Sequence, residues 1–279
     1  MRKLTLMFLC FITVGFWAVN PQNSVVFAAN ADEVHKSILD QIIDRKIIRI
    51  GTTGDYMPFT FENSEKIDGY AGIDIEFGKD LANTLNVDVV FVKTTWPTLM
   101  DDLMENKFDI GMSGISITLE RQKTAMFSAP ILSDGKVAIS RDENAHKFNT
   151  INKINQPNVK VIFNPGGTNE KFARKNFPNA ELILNEDNIT IFKKIVNGEA
   201  DLMVTDAIET IIQQEIHPEL QSVNPEKPFS FSEKGYLMKR DYTFKAYIDQ
   251  WINLRLKDGT YKKIYDVQLN SFTVNGRDD

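Results

Sequence analysis

Between residues 47 and 112, apolar strands alternate with amphipathic helices, and this order constrains the fold more than any other feature. Residues 47–50 read as a buried strand running into Gly51-Thr52-Thr53-Gly54-Asp55-Tyr56, a loop closed by Pro58 and Phe59. Residues 72–85 repeat apolar positions at helical spacing. Asp74 and Glu76 sit near the start, where the helix dipole favours acids, and both read as structural. A strand follows over 87–92, then a helix opened by Trp96 and Pro97 and running to Glu105, then a strand over 108–112. Strands joined through helices lie parallel, so this β-α-β-α-β order predicts an α/β fold with helices on both faces of a sheet.

The third strand leads into the stretch 108–130, FDIGMSGISITLERQKTAMFSAP. Its apolar run breaks into Ser113, Gly114 and Ser116, then passes through Thr118 and Glu120 to Arg121. Hydroxyls and backbone N–H groups are thereby exposed at the carboxyl end of a strand, where an open α/β sheet places its ligands. An arginine a few residues on supplies a fork for a carboxylate. This reads as half of a carboxylate clamp, with the other half expected from a second lobe.

A second set of units begins near Lys136. Strands are expected over 159–163, 181–184 and 200–204. Asn164-Pro165-Gly166-Gly167-Thr168-Asn169-Glu170 turns into a helix, and Glu170 reads as a first-turn acid. Asp187 is expected to cap a helix that Gly198 ends, and Thr205-Asp206 opens one that carries Glu209. Beyond Pro225 and Pro228 come a strand over 235–239 and helices over 243–257 and 260–267. This last piece has no sheet of its own and is expected to return to the first lobe. The boundaries are then 29–134 with 235–279 for lobe 1 and 135–234 for lobe 2, and two chain crossings make a hinge. A further helix is expected over 32–46, from Val34, Ile38 and Ile42.

The first 28 residues stand apart. Arg2 and Lys3 precede an apolar run over 4–19, and Val26-Phe27-Ala28 forms a small-residue cleavage site, the pattern of a secretory signal peptide cut after Ala28. The only cysteine, Cys10, lies in that run, so the mature chain is expected to have no thiol chemistry. Losing Arg2 and Lys3 takes the formal charge from -6 to -8. An exported acidic protein is a poor partner for nucleic acid or an anionic membrane. The three histidines, His35, His146 and His217, are scattered outside metal-ligand spacing, which disfavours a metal site or a histidine-based triad.

The segment Gly72-Ile73-Asp74-Ile75-Glu76-Phe77, with Leu81-Ala82 and Leu85, resembles the signature of bacterial periplasmic solute-binding proteins for polar amino acids. The resemblance implies a type II periplasmic-binding-protein fold: two α/β lobes joined by a two-strand hinge, with a cleft between them. It implies that Tyr56 and Trp96 sandwich a ligand, that Arg121 grips a carboxylate with help from Thr168, and that Asp206 takes the ligand's ammonium. The strings GTTGDYMPF, TTWPTLM, SGISITLERQ, FSAPILSDGK, NPGGTNEKFAR, DNITIFKKIVNGEADLMVTDAIE and EKGYLMKRD together resemble a narrower family, the cyclohexadienyl dehydratases. That resemblance covers nearly all of the mature chain. It implies that Glu209 is a general acid positioned by Lys136 and Asn164, and that the substrates are prephenate and arogenate.

The implied reaction needs no cofactor. Loss of water and carbon dioxide makes the substrate ring aromatic, so one positioned acid and a closed cleft suffice. Burial and the neighbouring Asp206 would raise the Glu209 pKa while Lys136 would lower it, and sequence leaves that balance open. Arg121 with Ser116, Ser113 and Thr168 suits one substrate carboxylate, with Lys136 or Thr53 for the other. A competing class shares most of these residues: a non-catalytic amino-acid receptor that delivers to an ABC permease. A receptor has no need to combine Glu209, Lys136 and Asn164. A third reading, a sensor-type binding domain, uses the same fold.

Overall fold

The computed structural model describes residues 36–275, with side chains described as far as Phe272. The expected signal peptide, its cleavage point and Cys10 lie outside the described residues. Two five-stranded sheets share one plan. In the first, Asp88–Lys93, Ile47–Thr52 and Ile110–Gly111 run parallel, with Ile48 opposite Val89 and Ile50 opposite Ile110. Leu237–Met238 then pairs antiparallel with Ile110–Gly111 on one side and Met126–Phe127 on the other. In the second, Glu181–Leu184, Lys160–Phe163 and Leu202–Asp206 run parallel. Lys136–Arg141 pairs antiparallel with Leu202–Asp206, and Leu220–Val223 closes the edge.

The fourth place in each sheet belongs to a strand arriving from the hinge. Leu132–Asp134 and Ser232–Lys234 pair antiparallel, with Ser232 opposite Asp134 and Lys234 opposite Leu132. One leads into Lys136–Arg141 and the other into Leu237–Met238. A three-stranded meander, Asp55–Tyr56, Thr60–Glu62 and Tyr70–Ala71, completes the strand set among the described residues.

Alternation explains the second sheet's long apolar runs. Ala138, Val161, Phe163, Leu202 and Val204 face one core, while Ile139, Ile162 and Met203 face another. A sheet covered on both faces needs apolar residues at every position. The first sheet's main core joins Ile48, Ile50 and Ile110 to helix Ile73–Leu85 and to helix Tyr242–Lys257, with Phe77 stacked on Trp251 at 4.1 Å between ring centres. The last helix, Thr260–Asn275, outruns its expected span and packs against helices Ile73–Leu85 and Ala207–Ile216.

Several helix starts differ from expectation. The first described helix is Ile38–Arg45, because Ser37 and Asp40 form a reciprocal capping box that fixes the start there. The helix expected from Trp96 begins at Leu99. Thr190, not Asp187, holds the N-cap position of Ile191–Val196, and the Asp187 carboxylate accepts from Ile189 N at 2.9 Å in the loop before it. Asp74 is structural, as its place near a helix start suggested. It is fully buried, accepts from Gly114 N at 2.6 Å and Tyr236 Oη at 3.1 Å, and burial pushes its carboxyl up to about 7.

Candidate active site

Every parallel strand ends at the same cleft. The loop after Ile47–Thr52 carries Tyr56, the one after Asp88–Lys93 carries Trp96, and the one after Ile110–Gly111 carries Gly114, Ser116 and Arg121. From the facing sheet come Asn164, Thr168 and Asn169 after Lys160–Phe163, Asn188 after Glu181–Leu184, and Asp206 at the end of its own strand. These side chains, with Gly167 and Lys234, line a cavity of about 20 Å³. That is room for about one water, whereas ligand clefts start near 300 Å³.

Contacts between the two sides explain the narrowness. Tyr56 Oη donates to Asp206 Oδ2 at 2.6 Å, and Asn188 Nδ2 donates to the Asp55 carbonyl at 2.8 Å. Gly166, at φ +79°, lies so near Pro97 that a Cβ would sit 2.5 Å from the proline nitrogen. Gly114 (φ +59°) fills a similar need, since a Cβ there would meet the Phe59 ring at 2.4 Å. Trp96 stands edge-on to Tyr56, 5.7 Å between centres, and donates from Nε1 to Asp55 Oδ1 at 3.0 Å.

Asp206 is the electrostatic centre. Its register partner in the sheet is Lys136. Lys136 Nζ lies 2.9 Å from Oδ1, and Lys234 Nζ forms a short ion pair with Oδ2. Burial alone would raise the Asp206 carboxyl, but Lys136, Lys234 and the Tyr56 hydroxyl outweigh it and hold it well below the usual range. Lys136 also donates to Thr168 Oγ1 at 3.0 Å and to Asn169 Oδ1. Burial pushes its ammonium below the usual lysine range, against the pull of Asp206.

Glu209 lies behind this layer, 1% exposed. Thr205 Oγ1 donates to its Oε2 at 2.5 Å, and Asn169 Nδ2 donates to Thr205 Oγ1 at 3.0 Å and to Asn164 Oδ1 at 3.4 Å. A chain of polar contacts thus runs from Lys136 through Asn169 and Thr205 to Glu209. Burial pushes the Glu209 carboxyl up to about 8; the Thr205 hydroxyl opposes this and Asp206 adds to it. The balance that sequence left open falls on the protonated side, so two carboxyls three residues apart are driven in opposite directions. Such divergence is what acid and base roles require.

The expected binding residues divide. Arg121 is half-buried and lines the cavity, with Nη1 donating to the Ser116 carbonyl at 2.9 Å; burial pushes its guanidinium down to about 10, so it stays charged near neutrality. Thr168 opens helix Thr168–Asn176 behind Gly167, which supplies no side-chain cap, so first-turn N–H groups are left over at the cavity. Thr53 and Ser113 instead bond each other, with Thr53 N and Oγ1 at 3.0 and 2.8 Å from Ser113 Oγ, and neither lines the cavity. Lys136 and Glu209 also stand behind the lining rather than in it.

Sequence reasoning missed Lys234, Asn169 and Thr205 as members of this cluster. The spacing of Thr205 and Glu209, four apart at a helix start, was a usable signal for that pair. Lys234 carried none, since its partners Asp206, Ser116 and Tyr56 are 28, 118 and 178 residues away. Among the described residues, no group of three or more His, Cys, Asp or Glu could hold a metal, and no helix is long and apolar enough to cross a membrane.

Two α/β lobes of one strand plan, joined by a two-strand hinge and facing each other across a cleft, define the type II periplasmic-binding-protein fold. The chain belongs to the bacterial extracellular solute-binding proteins, family 3, matched over residues 48–269. It is 47% identical over 238 residues to the cyclohexadienyl dehydratase of Pseudomonas aeruginosa, covering 85% of this chain and 88% of that protein. Among solved structures, an ancestral cyclohexadienyl dehydratase is 46% identical with a TM-score of 0.53, covering 85% of this chain and 98% of that one. An ancestral amino acid-binding protein, a precursor of cyclohexadienyl dehydratase, is 35% identical with a TM-score of 0.78, covering 84% of this chain and 100% of that one.

Proposed function

We propose that this protein is an exported cyclohexadienyl dehydratase that converts prephenate to phenylpyruvate and arogenate to phenylalanine, with Glu209 as the general acid. The observation that carries the reading is the Glu209 carboxyl itself: enclosed, pushed up to about 8, and tied through Thr205 and Asn169 to a buried lysine at a ligand cleft. A receptor gains nothing from keeping a proton there. The high identity to a dehydratase supports the same reading.

In this mechanism Arg121 holds the side-chain carboxylate, with the Thr168 hydroxyl and the first N–H groups of its helix. Tyr56 and Trp96 flank the ring. The ring carboxylate leaves as carbon dioxide, and its bonding electrons pass into the ring and expel the ring hydroxyl. Glu209 protonates that oxygen, so it departs as water, and solvent reprotonates the glutamate in the next cycle. For prephenate, one proton enters and carbon dioxide, water and phenylpyruvate leave. Lys136, Asn169 and Asn164 orient the acid.

A cavity of about 20 Å³ holds no such ring, so entry requires the lobes to part. Tyr56 and Asp206 lie on opposite sides and separate in that motion. We assign 29–134 with 235–279 to one lobe and 135–234 to the other, a division supported by the hinge strands at both crossings. Export is supported by the family's extracellular character and by the apolar leader over 4–19. Purified protein mixed with prephenate should release phenylpyruvate. Amino-acid binding without turnover would instead mark a receptor for an ABC permease.

A further inference from the structure

The inference rests on the dehydratase reading and concerns which substrate the cleft prefers. Prephenate and arogenate share a ring and differ in the side chain, 2-oxo in one and 2-amino in the other. Among the described residues, Asp206 is the only carboxylate lining the cavity, and so the only lining anion for a substrate ammonium. Its Oδ2 is engaged by Lys234 and by the Tyr56 hydroxyl, while Oδ1 is enclosed, accepts no hydrogen bond and lies 2.9 Å from Lys136 Nζ, which stands behind the lining.

We propose that Lys234 is a specificity-determining residue whose ammonium occupies the Asp206 oxygen that a substrate ammonium would need, so that the cleft prefers the 2-oxo acid to its 2-amino counterpart. Of the two lysines, Lys234 is the one that lines the cavity. It is 1% exposed, donates to Ser116 Oγ at 3.0 Å and to Tyr56 Oη at 3.2 Å, and lies 5.1 Å from the centre of the Tyr56 ring. Its backbone is held by pairing with Leu132 and by a bridge to Ser116. The hinge thus delivers the ammonium to Asp206 as part of the fold. A substrate ammonium could reach Asp206 Oδ2 only by breaking the buried pair with Lys234, and it would then face a displaced lysine of like charge. The lining also sets two cations, Arg121 and Lys234, against one anion. That balance favours the dianion prephenate over arogenate, whose ammonium cancels one of its charges.

The test uses kcat/KM for both substrates, and calorimetric affinities for phenylpyruvate and L-phenylalanine, which differ by the same oxo-for-amino exchange. The wild-type protein should favour the oxo compound at least tenfold in both measurements. In Lys234→Met, shown to be folded by circular dichroism, that ratio should fall at least tenfold, while Lys234→Arg retains it. An unchanged ratio in Lys234→Met would overturn the proposal. Should that variant not fold, a wild-type protein with equal affinity for the two products would overturn it by itself. Absence of turnover, with an oxo-over-amino binding ratio that the wild-type protein shows and Lys234→Met loses, would sink the dehydratase reading and still support Lys234.

Discussion

The two lobes share a strand order yet bring different chemistry to the cleft. Lobe 1 presents aromatic rings and a guanidinium that stays charged near neutrality: Tyr56, Trp96 and Arg121. Lobe 2 presents a buried set whose protonation is strongly tuned, with Glu209 driven up, Asp206 driven down and Lys136 lowered. One topology therefore carries an aromatic and cationic surface on one side and a buried set of shifted protonation states on the other. The fold delivers strand ends to a cleft, and the side chains at those ends decide what happens there.

The largest effect should come from the tuned side. Glu209→Gln should lower kcat by about 10²–10⁴-fold with little change in KM, in steady-state assays with prephenate. Equal activity in that variant would move the acid elsewhere. The rate of the wild-type protein should fall as pH rises through about 8, where Glu209 loses its proton. Lobe 1 should behave differently. Arg121→Ala should raise KM by roughly 10- to 100-fold, the worth of hydrogen bonds to a charged group, and change kcat less. A comparable loss of kcat would erase the division between the lobes.

Smaller effects test the contacts between the lobes. Tyr56→Phe removes the hydroxyl that reaches Asp206 and should lower thermal stability by about 1–3 kcal/mol in a melting experiment. The pH dependence of stability should carry two opposite signs. Glu209 keeps its proton when folded, so its contribution is complete below about 4.5 and is lost as pH climbs towards about 8. Asp206 is held ionised when folded, so its contribution is present above the ordinary aspartate range and is lost in strong acid. Glu209→Gln should flatten the first slope and leave the second. At the weak end, Glu170→Gln should change stability by less than about 1 kcal/mol, since it loses only a surface pair with Arg174 and one bond to Gly166 N.

Much of the cleft was legible because it lies at strand ends, and strand ends are marked by where apolar runs stop. Arg121 was located this way, whereas Tyr56, Trp96, Thr168 and Asp206 were expected from the resemblance to solute-binding proteins, and all five line the cavity. Thr53 and Ser113 sit at strand ends too, yet they satisfy each other. A residue's position along a strand does not say which partner takes its hydroxyl. Asp187 misled for a similar reason, since a capping residue type in a loop is common and only backbone geometry decides where a helix starts.

The sequence by itself determined the alternation of strands and helices, the two-lobed class and the cleft's position, because these follow from periodicity and short-range turn chemistry. Tertiary structure alone decided that Lys136 and Lys234 share the two oxygens of Asp206, and that Glu209 keeps its proton behind Thr205 and Asn169. Those outcomes depend on hinge register and on how completely water is excluded. Both arise only when segments far apart in the chain pack together, and no local pattern encodes them.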